Sequence, residues 1–109
     1  MMNAQITTPF QAHTQVEGNT AVIALIGEIN GLADEALNAA YDTAEASGPT
    51  HMVLDFTRVD YINSTGIALI VGFLAKARAA HIPLTAVSLS DHYREIFTIT
   101  RLSDFIEIQ

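Results

Sequence analysis

The chain has 109 residues, of which 50% are hydrophobic and 16% are charged, and this is the composition of one folded domain rather than of a disordered segment. Twelve acidic residues against five Lys and Arg give a formal net charge of −7, which argues against nucleic acid or an anionic membrane as the partner. The sequence contains no cysteine, which excludes a disulfide scaffold, a thiolate metal site and a thiol nucleophile.

The N-terminal residues 1–9 have no basic start and no apolar core, so we expect no signal peptide. The longest apolar run covers residues 67–75 and is far shorter than the roughly 20 residues of a membrane span. We therefore expect a cytoplasmic protein with a loose lead-in over residues 1–10 and a single domain over residues 11–109.

Two strands joined by a turn are predicted near the N-terminus. Residues 11–16 alternate weakly between apolar and polar side chains, and residues 21–26 are more uniformly apolar. Residues 17–19 between them include Gly and Asn, which accept a positive φ in tight turns. The pattern predicts an antiparallel hairpin, whose second strand is ended by residues 27–31.

The first helix is predicted over residues 32–46. Apolar side chains recur at helical spacing on one face, which comprises Leu32, Ala36, Leu37, Ala40, Tyr41 and Ala44. Charged and amide side chains occupy the opposite face. Residues 47–49, which include Gly and Pro, stop the helix.

Strands and helices alternate along the rest of the chain. Residues 52–56 are predicted as a third strand, because they are short and mostly apolar, and residues 57–63 as a loop. A second helix starts near Ser64 and continues to about Ala80. Residues 84–87 form the fourth predicted strand.

A third helix and a last strand complete the prediction. Ser90 or Asp91 caps the helix, and residues 106–108 form the strand. The inward-facing side chains of this helix are Tyr93, Ile96 and Phe97. Strand–helix–strand alternation implies right-handed crossovers onto one sheet. We therefore predict an α/β fold with a small mixed β-sheet, in which an N-terminal hairpin precedes parallel strands and the helices lie mainly on one face.

The segment from Asn63 to Gly66 leads directly into the second helix and is the most informative stretch for function. We expect the Ser64 hydroxyl to accept hydrogen bonds from the free backbone N–H groups of the first turn. A phosphate at this position would meet the same N–H groups and the positive end of the helix dipole. The simpler alternative is that these residues are an ordinary helix cap.

The helix that follows is apolar nearly all round. Ile67, Ile70, Val71 and Leu74 form one face, and Leu69 and Phe73 extend the apolar surface beyond it. A helix of this kind is buried on all sides or exposes an apolar flank to a partner. Both possibilities stay open, and Leu69 and Phe73 are the candidate partner contacts on the helix.

Residues 54–67 resemble the signature of STAS domains of the anti-sigma factor antagonist family. In that family a strand ends in Asp, a spacer follows, and an Asp-Ser-Ser/Thr-Gly segment opens a helix; here the segment is Asn63-Ser64-Thr65-Gly66. The resemblance extends over residues 22–108 and includes residues 25–29 at the exit of the second strand.

The resemblance implies a protein that is not an enzyme and needs no cofactor or metal. It implies binding to an anti-sigma factor that is also a serine kinase, release when Ser64 is phosphorylated, and resetting by a phosphatase. The partner contacts carried over from the family are Glu28, Asn30, Asn63, Thr65 and Gly66. We expect a monomer or weak dimer that acts in partner switching.

Three positions depart from the family pattern. Asn30 and Asn63 stand where aspartate is usual, which removes charge from the expected contact surface. Arg101 stands where a glycine commonly ends the third helix; a left-handed residue other than glycine would be strained there, so we expect a rebuilt cap.

Other functions fit less well. An accessory STAS subunit that docks on a transporter ATPase or a signalling assembly without phosphorylation remains the alternative within the family. A receiver domain would use Asp55, at the end of a central strand, as its phosphate acceptor. It is disfavoured because no pair of acidic residues follows an early strand and no lysine follows a late strand. A hydrolase elbow would need Gly at position 62 instead of Ile. A phosphocarrier is a distant alternative, since the histidines at 13, 51, 81 and 92 are scattered.

Overall fold

In a computed structural model of the protein, which describes residues 9–109, one mixed sheet is covered by helices. The strands are β1 (Gln11–Glu17), β2 (Thr20–Ile29), β3 (His51–Ile62), β4 (Leu84–Val87) and β5 (Glu107–Ile108). The helices are α1 (Asp34–Ala46), α2 (Ser64–Ala79) and α3 (Asp91–Ile99), with 3-10 turns at Gly31–Ala33 and Leu102–Asp104. The part of the predicted lead-in before residue 9 lies outside the described residues.

The strands follow one another in the sheet in chain order, β1-β2-β3-β4-β5. β1 pairs antiparallel with β2, and the pairs β2–β3, β3–β4 and β4–β5 are parallel. The predicted α/β class, the leading hairpin and the parallel strands that follow are therefore confirmed. Each parallel pair is joined by a crossover, which is the connection that parallel strands require.

The core lies between one face of the sheet and the three helices. Burial alternates along β2, where every second residue from Ala21 to Ile29 is buried and the intervening ones are partly exposed. This period of two is typical of a sheet that is fully covered on one face only. Two edge-to-face aromatic pairs lie in this core: Tyr41 with Phe73 connects α1 to α2, and Phe56 with Phe97 connects β3 to α3.

Two predicted strand ends are wrong. Gly27 does not end β2; it adopts φ 96° at a register shift, and the strand continues to Ile29. Residues 57–62 are not a loop, because they continue β3 and pair with the extended end of β2. The register shifts let both strands bend and remain paired, so they end together at the Ile29–Ile62 pair.

The first helix begins later than predicted. Residues 31–33 form a 3-10 turn, and Leu32, which the periodicity places on the buried face, is 90% exposed. The change in backbone geometry rotates Leu32 away from the face that Leu37 and Tyr41 share. The expected rebuilding of the cap after α3 is not observed: Arg101 adopts the left-handed conformation, with φ 65°, and its Nε lies 2.9 Å from Asp104 Oδ2.

Candidate partner-binding site

The paired ends of β2 and β3 bring two short segments side by side. Ile29 and Ile62 are partners in the parallel ladder, and the backbone N–H of Asn63 donates to the Ile29 carbonyl at 3.2 Å. One segment is the 3-10 turn that follows β2, and the other is the first turn of α2. A Cβ placed on Gly31 would lie 3.6 Å from Thr65 Cγ2, so the two turns are in contact range.

Gly66 closes the first turn of α2 onto the end of β2. A Cβ at this position would overlap the Ile29 carbonyl oxygen and would lie 2.7 Å from the carbonyl carbon. Gly66 is buried and has a structural role at this position, while its contact with a partner stays a prediction. The absent side chain lets the helix start directly against the strand end, and this contact sets the position of Ser64 and Thr65.

Asn63, and not Ser64, caps α2. Asn63 has the extended backbone of a cap residue, and its Oδ1 accepts a hydrogen bond from the Gly66 N–H at 2.8 Å. The expectation that the Ser64 hydroxyl accepts from the first-turn N–H groups is therefore wrong. Because Asn63 provides the cap, Ser64 becomes the first residue of the helix and its side chain is exposed.

Asn30 plays the same part in the neighbouring turn. Its Oδ1 accepts from the Leu32 N–H at 2.9 Å, and its Nδ2 donates to Glu28 Oε2 at 3.0 Å. An aspartate could accept from Leu32 but could not donate to Glu28. The amide at position 30 thus orients the Glu28 carboxylate at the edge of the site.

An exposed surface surrounds these caps. Ser64 and Thr65 are exposed, Glu28 and Asn30 are half-buried, and Leu32 projects beside them. The first turn of α2 contains no acidic residue, so the positive end of the helix dipole is not neutralised from within the helix. We call this set, Glu28, Asn30, Leu32, Asn63, Ser64 and Thr65, the cap surface.

Two exposed apolar residues at this end of the sheet were missed by the sequence prediction. Leu32 is 90% exposed, and Tyr61, which pairs with Glu28 in the ladder, is 53% exposed. Leu32 was assigned to the core because it fits the helical period. The cap signal of Asn30 followed by Gly31 could have indicated that Leu32 lies in a separate first turn ahead of α1.

The two residues of α2 that were predicted as partner contacts, Leu69 and Phe73, differ in burial. Leu69 is half-buried and remains accessible in part. Phe73 is only 4% exposed and packs edge-on against Tyr41, with the ring centroids 5.2 Å apart, so its side chain belongs to the core and not to the exposed surface of the helix. The reason is the helical period: Gly66, Ile70 and Phe73 share the face that meets the sheet and α1.

The outer flank of α2 shows how the apolar residues of this helix are divided between the core and the solvent. Val71 is 44% exposed, and Ala68, Gly72 and Ala75 are also exposed. The helix therefore packs its larger residues inward and presents mostly small ones to solvent. This flank continues from the cap surface along the helix.

Residues 9–109 contain no group of three or more His, Cys, Asp or Glu placed to hold a metal ion. No helix within this range has the length and apolar character needed to cross a membrane.

The sequence matches a family model described as "Mlab, STAS domain" over residues 12–107. It is 32% identical over 87 residues to the anti-sigma-B factor antagonist of Listeria monocytogenes, a match that covers 80% of this chain and 76% of the relative.

Solved structures show the same fold. An anti-sigma factor antagonist from Mycobacterium paratuberculosis superimposes with a TM-score of 0.77 over 94% of this chain and 89% of that chain, at 19% identity. The Bacillus protein SpoIIAA in its phosphorylated form gives a TM-score of 0.67 at 27% identity, covering 92% and 90%. The unphosphorylated form of the same antagonist gives 0.64 at 28%, covering 83% and 82%.

Proposed function

The chain belongs to the STAS domain family, and we propose that it is a non-enzymatic anti-sigma factor antagonist that acts in the cytoplasm. In its unmodified form it binds an anti-sigma factor through the cap surface. Phosphorylation of Ser64 by that anti-sigma factor, acting as a serine kinase, releases it, and a phosphatase restores the first state.

One observation carries the proposal. The hydroxyl of Ser64 is exposed in the first turn of α2, while Asn63 supplies the cap. A hydroxyl that is not needed to cap the helix can be modified without loss of a stabilising hydrogen bond. The similarity to SpoIIAA, whose structure is known in phosphorylated and unphosphorylated forms, supports the choice of a phosphorylation switch.

Physical chemistry explains why phosphate would release a partner without unfolding the domain. It adds roughly −1.5 to −2 charge at pH 7, at a helix N-terminus that tolerates negative charge. A partner surface that approaches the cap surface would meet that charge directly. One close like-charge contact costs about 1 kcal/mol in water and about 4 kcal/mol where it is partly desolvated, and the second value corresponds to nearly three decades of affinity.

Incubation with the cognate kinase and ATP, followed by intact mass measurement, tests the proposal. We expect the wild type to gain one phosphate and Ser64→Ala to gain none. Thr65→Ala is the matched control for the site of modification, because it removes the adjacent exposed hydroxyl of the same turn, and it should still gain one phosphate. An equal gain on Ser64→Ala would remove Ser64 from the mechanism.

Docking without phosphorylation is the second candidate. The uncharged amides of Asn30 and Asn63, which both act as caps, favour it, because the family pattern has aspartate at these positions. In this case the partner is a transporter ATPase or a signalling assembly, and the cap surface binds it constitutively. The two candidates are separated by the effect of Ser64→Asp on partner affinity.

A further inference from the structure

The end of β3 is paired on one side only. β4 pairs with residues 52–55 of β3 and not beyond, whereas β2 continues alongside to Ile62. The Asn63 N–H points to β2, where it donates to Ile29. Since successive N–H groups of a strand point to opposite sides, the Ile62 N–H faces the side that β4 has left open.

The hydroxyl of Tyr93 occupies that open side. The Ile62 N–H donates to Tyr93 Oη at 2.8 Å, and the hydroxyl donates in turn to the Ile62 carbonyl at a longer 3.4 Å. Both bonds are buried, and Tyr93 is 9% exposed. A buried backbone group without a partner is costly, so the hydroxyl replaces the strand that is missing there.

Tyr93 is itself held firmly in place. It lies in the first turn of α3, where Ser90 caps the helix and accepts from the Tyr93 N–H at 3.3 Å. The Ser90 carbonyl accepts from the Arg94 N–H at 2.8 Å. The start of α3 is therefore connected through one side chain to the residue that directly precedes the Asn63 cap.

We infer that Tyr93 is the positioning residue for the turn that presents Ser64, and that it couples α3 to the cap surface. The inference rests on the proposed function for its consequence on phosphorylation, but its structural part stands on the Tyr93–Ile62 bonds. Asn63 is held by Ile29 on one side, and Tyr93 holds the adjacent peptide on the other. Loss of the hydroxyl frees the second side, so the cap surface samples more conformations while the core ring stays in place.

The test compares Tyr93→Phe with Tyr41→Phe. Tyr41 is a matched control, because it is also a core tyrosine whose hydroxyl contacts a backbone carbonyl, that of Lys76 at 3.0 Å near the opposite end of α2. Amide hydrogen exchange of the folded protein gives the local readout, and thermal unfolding gives the global one. Phosphorylation of Ser64 by the kinase gives the functional readout.

We expect Tyr93→Phe to speed exchange at Ile62, Asn63 and Gly66 by about tenfold relative to the rest of the protein. The kcat/KM for phosphorylation should fall by a similar factor. Tyr41→Phe should change neither beyond its effect on global stability. Where Tyr93→Phe fails to fold, Ser90→Ala loosens the start of α3 with the tyrosine intact, and it should give the same local pattern with a smaller amplitude.

Exchange that rises evenly over the whole protein in Tyr93→Phe, as it would for any core substitution, would overturn the inference. If the wild type is a substrate of the kinase, a local rise in exchange in Tyr93→Phe without a change in its phosphorylation would also overturn the inference. If the wild type accepts no phosphate, the proposed function fails, and the exchange data alone still decide whether Tyr93 positions the turn.

Discussion

Gly66 meets the carbonyl group of Ile29 so closely that no side chain fits between the first turn of α2 and the end of β2. This contact connects the core to the cap surface. It explains why Ser64 and Thr65 stand at the sheet edge beside the turn that carries Leu32. The start of α2 is therefore positioned by this backbone contact as well as by the Asn63 cap.

Gly66→Ala is expected to destabilise the protein by about 1–3 kcal/mol or to displace the start of α2. Gly72→Ala is the control in the same helix, because a Cβ there meets nothing within 4 Å. It should stabilise the protein by about 0.5–1 kcal/mol through the better helix propensity of alanine. Urea unfolding of both variants measures the difference, and equal stabilities would contradict the contact at Gly66.

Ser64→Asp is expected to weaken partner binding by tenfold or more, because it adds negative charge at the centre of the cap surface. Ser64→Asn matches its size without the charge and should bind nearly like the wild type. Calorimetric titration with the anti-sigma factor measures both, and circular dichroism checks that the fold is retained. Unchanged affinity for Ser64→Asp would favour the docking function without phosphorylation.

Leu32→Asp is expected to reduce partner affinity by tenfold or more with little change in stability, since Leu32 is 90% exposed and an apolar anchor of this size contributes roughly 1.5–3 kcal/mol when buried. Ile99→Asp is the control, because Ile99 is 73% exposed at the end of α3. The same binding titration should show it near the wild-type value. Equal losses for the two variants would indicate a non-specific effect of charge.

Leu69→Asp and Phe73→Asp are expected to differ. Phe73 is buried against Tyr41, and a charge there has no partner, so this variant should unfold or lose several kcal/mol of stability. Leu69 is half-buried, so Leu69→Asp should keep the fold and lose affinity for the partner. Thermal unfolding followed by circular dichroism distinguishes them, and a stable Phe73→Asp would contradict the core assignment.

The buried hydroxyl of Tyr41 is expected to make the stability of the protein depend on pH in the alkaline range. Burial, and next the hydrogen bond and charge of Glu45, raise the pKa of the Tyr41 hydroxyl from 10.0 to about 12. The folded state favours the neutral phenol. Its contribution to the free energy of unfolding is therefore complete below pH 10 and is lost as the pH rises toward 12. Urea unfolding over this range should show a loss of at most about 2–3 kcal/mol that is absent in Tyr41→Phe.

Local pattern in the sequence was enough to predict the order of strands and helices and the mixed sheet. It was also enough to place Ser64 at the start of α2. These features depend on period, turn residues and chain connectivity, which are properties of neighbouring residues. The resemblance to STAS domains rests on the same local segment, and the family match over residues 12–107 confirms it.

Tertiary contacts decided which of these residues are buried and which remain exposed. The apolar pattern of α2 extends nearly all round the helix, so the period alone could not tell that Phe73 packs inward and Leu69 stays accessible. Leu32 fits the helical period, but the 3-10 turn rotates it outward. Asn63, and not Ser64, caps α2 because the backbone of Asn63 is extended at the end of β3. Burial and backbone angles depend on residues that are distant in the chain, and for that reason only the folded structure determines them.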